Sequence, residues 1–239
     1  MKVAVIGGGD SGFDAAAIAL DHQAKSADLF IRRKTLPNVN PARELFFLGC
    51  YSGYYSLSDQ EKWQTYCHVF DKGTTPPRET LERISKYPHF RFHASSDVEK
   101  TLHSYDFFIL ATGLAIDGTM QPELRLFIED VLLWKDRGFT DHPKLGRFPY
   151  LGPHFEFQEK HNGNAPFLRN IHCFNYASTL SHSGLGSEIP PISFGAERLA
   201  EGIAADLFLK DREKHFTKFK LYNDPEYRTE EFSFFRDLI

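Results

Sequence analysis

The chain has 239 residues, enough for one large domain or two small ones around a substantial core. With 41% hydrophobic and 25% charged residues and a formal net charge of −4, it lacks the basic footprint of a nucleic-acid or anionic-lipid binder. There is no apolar run of bilayer-spanning length and no secretory leader pattern, and the three cysteines, Cys50, Cys67 and Cys173, are scattered without metal-ligand spacing. These features predict a cytoplasmic protein with reduced thiols, with no membrane or nucleic-acid partner.

The first element carries the main functional clue. Val3-Ala4-Val5-Ile6 is an apolar, β-branched run leading into Gly7-Gly8-Gly9-Asp10-Ser11-Gly12, and Phe13, Ala15 to Ala17, Ile18, Ala19 and Leu20 follow with helical character. Strand, tight turn and helix start is the order in which G-x-G-x-x-G holds a dinucleotide. Gly7 turns the chain off the strand, Gly9 lets backbone N–H groups reach a pyrophosphate with no Cβ between, and Gly12 lets the helix pack closely on the sheet. The phosphates then rest at the helix N-terminus, where unpaired donors and the helix dipole favour an anion. Ser11 is expected to cap the helix start and meet a phosphate. It has no neighbouring base dyad and is not a nucleophile.

The polar break His22 to Ser26 leads to Ala27 through Ile31, the second strand of a βαβ unit. NAD-preferring sites end this strand with an acidic residue. Arg32-Arg33-Lys34 stands there instead, and suits the 2′-phosphate of NADP; a solvated basic turn is the bland alternative.

Leu36 to Pro41 is a loop, interrupted by prolines. The aromatic-rich stretch Glu44 to Tyr66 is expected to pack against a partner domain or a bound ring, or simply to build the core. A helix begins at Ser58, with Glu61 three residues on as a capping pair, and runs to Phe70. After Gly73-Thr74-Thr75-Pro76-Pro77 a short helix covers Glu79 to Tyr87, and Phe90 to Ala94 alternates as a strand. Val98 to Leu102 is ambiguous, and Tyr105 to Ala111 is an apolar strand ending in Thr112-Gly113. His89 and His93 bracket a strand, where that spacing separates them by ~13 Å, too far to share a metal. The expected fold class is α/β, a Rossmann-like doubly wound parallel sheet closing near Gly113.

Beyond it, Glu123 to Trp134 is predicted as an amphipathic helix, Gly138 to Gly152 as a loop, Phe155 to Gln158 as an edge strand and Ile171 to Asn175 as a strand. A glycine-containing turn, Ser181 to Ser187, leads through Pro190-Pro191 to a helix over Phe194 to Leu209. Residues 210–239 form a charged tail, docked by Tyr222, Tyr227, Phe232, Phe234 and Phe235.

These motifs resemble the two-nucleotide flavoproteins, in particular the flavin-dependent monooxygenase group that includes flavin-containing monooxygenases and N-hydroxylating ornithine and lysine monooxygenases. Val5 to Ala16 is similar to the family's second nucleotide motif, Arg32-Arg33 to its NADP selector, and Leu110-Ala111-Thr112-Gly113 to the stretch where the NADP domain returns to the FAD domain. Ile171 to Asn175 and His182 to Glu188, with the helix after them, resemble the last strand and closing helix of the FAD domain, so that Gly184 and Leu185 would lie beside the flavin. Asn175 and His182 are the candidates for touching flavin or nicotinamide, against a bland reading as a turn-capping Asn and a solvent-exposed His.

The resemblance implies residues 1–114 as an NADP-binding domain, 115–209 as the C-terminal portion of an FAD-binding domain and 210–239 as a tail. It also implies two cofactors, NADP (NADPH) and FAD, with hydride transfer to flavin and oxygenation of a small-molecule substrate. The family carries a first G-x-G-x-x-G for FAD ~150 residues before the second, about one nucleotide domain. This sequence has one such motif. The expectation is therefore a fragment, a shortened product or one subunit of a split enzyme, partnered by a separate FAD-binding chain or by itself as a homo-oligomer. A non-catalytic NADP(H)-binding regulatory module and an inactive flavoprotein remnant are the alternatives.

Overall fold

A computed structural model describes residues 1–96, 102–228 and 231–232. The chain divides into two compact units, Met1–Ala196 and Glu197–Ile239.

The first unit opens with β1 (Lys2–Ile6), α1 (Asp10–Asp21) and β2 (Ser26–Phe30). After β2 come a 3-10 turn (Pro41–Leu45), α2 (Leu48–Gly53), α3 (Asp59–Lys72), α4 (Arg78–Ile84), β3 (Phe90–His93) and β4 (Phe107–Leu110). The four strands form one sheet in the order β3-β2-β1-β4, all parallel. Register follows the apolar pattern: Val3 pairs with Ala27 and Phe107, and Val5 with Leu29 and Ile109. Val3, Val5, Ala27 and Leu29 therefore share one face, which buries Phe13, Ala16, Ala17 and Leu20 of α1, spaced at i, i+3, i+4 and i+7, together with Ile84 of α4. The other face carries Ala4, Asp28 and Phe30, all buried; Asp28 Oδ1 lies 2.7 Å from His93 Nε2, and the His93 ring stacks on Phe30. β4 is an edge strand, and Phe107, Phe108 and Leu110 on it are exposed rather than enclosed as a fully apolar run predicts.

The helix anticipated at Ser58 has its capping box: Ser58 Oγ accepts from the Glu61 amide, and Glu61 Oε2 accepts from the Ser58 amide at 2.8 Å. α3 then delivers Trp63 and Tyr66 into a second core with Cys50, Tyr54, Trp134, Leu145, Phe148 and Leu180. Much of the aromatic stretch Glu44 to Tyr66 is accordingly core, although Phe47 stays exposed.

Residues 115 to 187 are where the sequence reading fails most. The predicted helix Glu123 to Trp134 is absent. Pro122 opens a series of 3-10 turns, and the Leu132 and Trp134 amides donate across to the Gln158 and Phe148 carbonyls. Val131 and Leu133 enter a third core while Trp134 enters the second, a two-residue period that one helical face cannot supply. The predicted strand Ile171 to Asn175 is likewise irregular. It makes cross-chain bonds, such as Cys173 amide to Phe155 carbonyl at 2.8 Å, and a bridge at His172, but no regular strand. Phe155 to Gln158 supplies the bridges Glu156 to His172 and Phe157 to Leu151.

α5 (Thr179–His182) leads into the glycine-containing turn, and α6 (Ile192–Lys210) and α7 (Arg212–Leu221) follow. Tyr222, Tyr227 and Phe232 of the expected docking tail are exposed, and Phe234 and Phe235, like Val98 to Thr101, lie outside the described residues. No helix among the described residues is long and apolar enough to cross a membrane. Ser58→Ala removes a helix cap and should cost about 1 kcal/mol, read as a lower urea midpoint with an unchanged slope.

Candidate functional site

The predicted site residues of the first 113 positions converge on the carboxyl edge of the sheet, where open α/β folds bind ligands. The Gly7 amide donates to the Phe30 carbonyl at 3.0 Å and the Ala111 amide to the Ile6 carbonyl at 2.8 Å, so the glycine turn sits between the ends of β2 and β4. Gly7 has φ +126°, and a Cβ there would lie 2.0 Å from the Ala111 carbonyl oxygen. A Cβ on Gly12 would lie 2.1 Å from the Gly7 carbonyl oxygen, and one on Gly8 would lie 2.5 Å from the Ile31 side chain. These three glycines are demanded by the fold.

Gly9 is different. Its φ is −86°, open to any residue, and a Cβ there would meet only Thr74, at 3.8 Å. Neither the backbone angle nor the packing requires a glycine at this N-cap position.

α1 begins at Asp10, with Gly9 as its N-cap and no side-chain cap. Ser11 is thus inside the first turn and exposed, and does not cap the helix as expected: the chain already turns helical at Asp10. Within this turn the Gly12 amide donates to the Gly9 carbonyl at 3.0 Å, and no N-cap side chain serves the amides before it. Asp10 Oδ1 is buried with no hydrogen-bond partner among the described residues. Burial, and then the neighbouring Asp14, push its carboxyl above the ordinary range; its own backbone N–H, and then Arg43, oppose them.

Beside the turn lies a cavity of about 340 Å³ lined by Leu36, Asn40, Arg43, Thr75 and Arg78 among others. Leu36 is the residue a Cβ on Gly8 would meet at 3.2 Å, and Thr75 follows the threonine that faces Gly9. Thr75 Oγ1 is a second buried polar atom with no partner among the described residues. The sequence places Thr75 in a chain break and singles out neither Arg43 nor Arg78. The available signal was Asn40-Pro41, where Asn40 Oδ1 accepts from the Ala42 amide at 3.1 Å and starts the turn that presents Arg43.

The basic trio is exposed at the end of β2. Arg33 Nη1 donates to the Lys72 carbonyl at 3.1 Å, binding this turn to the end of α3. Arg32 and Lys34 carry no such tie to that helix. Ala111, Thr112 and Gly113, the last at φ +91° with open space around it, complete the edge.

The second group of predicted residues is built differently. Asn175 Oδ1 accepts from the Ala177 amide at 2.8 Å and caps a 3-10 turn, beside a cavity of about 200 Å³. His182 is 0% exposed, which excludes the solvent-exposed alternative. Its Nε2 donates to the Gly152 carbonyl at 2.9 Å, and its ring lies between Tyr55 and Phe155 with centroids 5.0 and 4.0 Å away. The Lys62 ammonium covers the other face of Tyr55 at 4.6 Å, and burial lowers that lysine's pKa. Ser183 next to it has φ +57° and shares a 3.1 Å hydrogen bond with the Tyr66 hydroxyl. Gly184 and Leu185 are buried; a Cβ on Gly184 would lie 2.7 Å from Glu188 and 3.6 Å from Phe46, at the end of the turn that presents Arg43.

The thiols offer no nucleophile. Burial pushes Cys173 up to about 12, and raises Cys50 and Cys67 as well, so the reactive thiolate is scarce at neutral pH. Among the described residues no three His, Cys, Asp or Glu side chains gather to hold a metal.

The chain is 30% identical to the FAD-dependent urate hydroxylase of Xanthomonas campestris pv. campestris over 95% of its own length. It is similar to the flavin-dependent monooxygenases. The match takes in 52% of the hydroxylase, so the chain spans about half the length of the curated relative it matches. No family model matches the chain. The reduced form of ornithine hydroxylase from Pseudomonas aeruginosa shares its fold, with a TM-score of 0.59 at 20% identity over 87% of this chain and 53% of that one.

Gly7→Ala forces a side chain onto a carbonyl at a positive φ, and should cost about 3 kcal/mol or more. Gly9→Ala should stay within about 0.5 kcal/mol of wild type. Chemical unfolding of the two variants side by side tests this asymmetry.

Proposed function

We propose that this chain is the NADPH-binding part of an FAD-dependent oxidoreductase of the monooxygenase type. The observation that carries the reading is Gly9: a glycine that neither backbone angle nor packing requires, at the one point of the turn where a pyrophosphate comes closest. Thr75 Oγ1 and the Arg43 and Arg78 side chains around the adjoining cavity fit a phosphate-rich ligand, and the buried, unpaired oxygen finds a donor or acceptor only when something enters.

In this reading the turn Gly7 to Gly12 receives the pyrophosphate through the backbone N–H groups of Gly8, Gly9 and Ser11, while those of Gly7 and Gly12 hold the turn by donating to the Phe30 and Gly9 carbonyls. Arg32 and Lys34 contact the 2′-phosphate, and Arg33 places them by holding the turn to α3. Ala111 to Gly113 border the nicotinamide side. Residues 1–114 make the NADP domain, 115–209 belong to the FAD domain, and 210–239 are a tail. Held beside this site, FAD would supply the redox chemistry between the hydride of NADPH and oxygen.

The chain's fit to FAD is narrower than its fit to NADPH. It supplies one glycine-rich phosphate turn, used here for NADPH, so Gly184 and Leu185 border the flavin while its phosphates are held elsewhere, in a separate chain or a further segment. Asn175 and His182 hold structure rather than react: the first caps the Tyr176–Ser178 turn, and the second stacks on Tyr55 and Phe155, fully buried. The substrate is a small molecule, and the compartment is the cytoplasm.

NADPH should raise the melting temperature far more than NADH does, and Arg32→Ala should abolish the difference; equal responses in the wild type refute the 2′-phosphate assignment. Gly9→Val should melt like wild type yet lose the NADPH response. A protein that binds NADPH but never retains flavin, alone or with an FAD-binding partner, is a redox-sensing module and not an oxidoreductase.

A further inference from the structure

The glycine turn carries an unexpected charge. Asp10 is the first residue of α1, directly after the open Gly9, and thus stands where the dinucleotide reading puts two phosphate charges. A carboxylate there has a reason to be stable in the empty protein, because the helix N-terminus favours any anion. It also has a reason to be neutral: Oδ1 is buried with no hydrogen-bond partner among the described residues.

Its charged neighbours are few and come from two elements. On α1 itself, Asp14 is a like charge one helical turn away, and its own carboxylate accepts a 2.8 Å hydrogen bond from Thr80 of α4. From the 3-10 turn opposite, Arg43 is the opposing cation, and it lines the adjoining cavity. The Thr74-Thr75 side contributes no charge. An incoming pyrophosphate competes with the Asp10 carboxylate both for the helix N-terminus and for Arg43.

We propose that Asp10 sets the affinity of the dinucleotide site and its pH window: the carboxylate opposes the pyrophosphate, and the neutral acid admits it. The inference rests on the dinucleotide reading above. Its sign follows from linkage. The anionic ligand binds better to protonated Asp10, so binding raises that residue's pKa beyond its already elevated value in the empty site. Affinity is then highest and flat below the pKa of the empty site, falls as pH rises from that pKa to the pKa of the complex, and is flat and weaker above. A site tuned this way holds its cofactor loosely at neutral pH and releases oxidised product quickly.

The experiment is a titration of the full 239-residue chain and its Asp10→Asn variant with NADP⁺, which tolerates acid, followed by calorimetry from pH 5 to pH 8.5. Titration of the ligand's 2′-phosphate is common to both proteins, so the difference between them isolates Asp10. The variant is expected to bind about tenfold tighter or more at pH 8, one pK unit of like-charge opposition, with the gap closing as the pH falls. Asp10→Ser, uncharged and suited to a first helical turn, should do the same.

Equal affinities across the range, or weaker binding by both variants, overturn the role of Asp10 and leave the dinucleotide site standing. Weaker binding by both that magnesium restores in the wild type alone would make the carboxylate a cation bridge, which also overturns it. Absence of binding by all three proteins at every pH rejects the dinucleotide reading and this inference with it.

Discussion

Everything at the candidate site depends on three stretches of backbone passing through one point. The turn at Gly7 lies under the Ala111 carbonyl, and Gly12 lies over the Gly7 carbonyl, each at a separation that a methyl group cannot share. This contact joins the ends of β1 and β4 and the start of α1, and it fixes the angle at which the helix leaves the sheet. Once that angle is set, α1 can bury Phe13, Ala16, Ala17 and Leu20 against Val3, Val5, Ala27 and Leu29, and its N-terminus faces outward at the carboxyl edge. Core packing and ligand presentation are two results of one close approach.

The chain makes use of that edge unequally. Glycines 7, 8 and 12 answer to close packing, whereas neither packing nor backbone angle requires a glycine at position 9. The motif in its usual form does not separate these roles, and only the geometry around each Cα does. Similarly, the basic trio after β2 is uniform in sequence but not in structure: Arg33 is committed to the Lys72 carbonyl, and Arg32 and Lys34 stand exposed beside it.

Legibility in the sequence followed the range of the interactions. β1, α1, β2, α3, α4, β3 and α6 were readable because each is specified by neighbours within a few residues: the alternation in Phe90 to His93, the Ser58-Glu61 box, the apolar i, i+3, i+4 spacing of α1. Residues 115 to 187 were not, because their order is tertiary. Trp134 and Val131 sit three apart and would share a helical face, yet each enters a different core, in a segment whose Trp134 and Leu132 amides donate to the Phe148 and Gln158 carbonyls, bonds that no local pattern announces. The same holds for His182, whose environment is set by Tyr55, Phe155 and Gly152, well separated from it in sequence. The site's glycines and basic residues were visible in advance, while Arg43, Thr75 and Arg78 were not, since their loops converge only when the sheet forms.

The tie between Arg33 and the Lys72 carbonyl has a consequence for the residue after it. Residue 73 has φ +78°, and a Cβ there would lie 2.5 Å from the Arg33 guanidinium. Almost any replacement of Gly73 would be strained at that φ and would push the guanidinium off the Lys72 carbonyl. The basic turn after β2 is therefore anchored from two places some forty residues apart, and a change at one bears on the other.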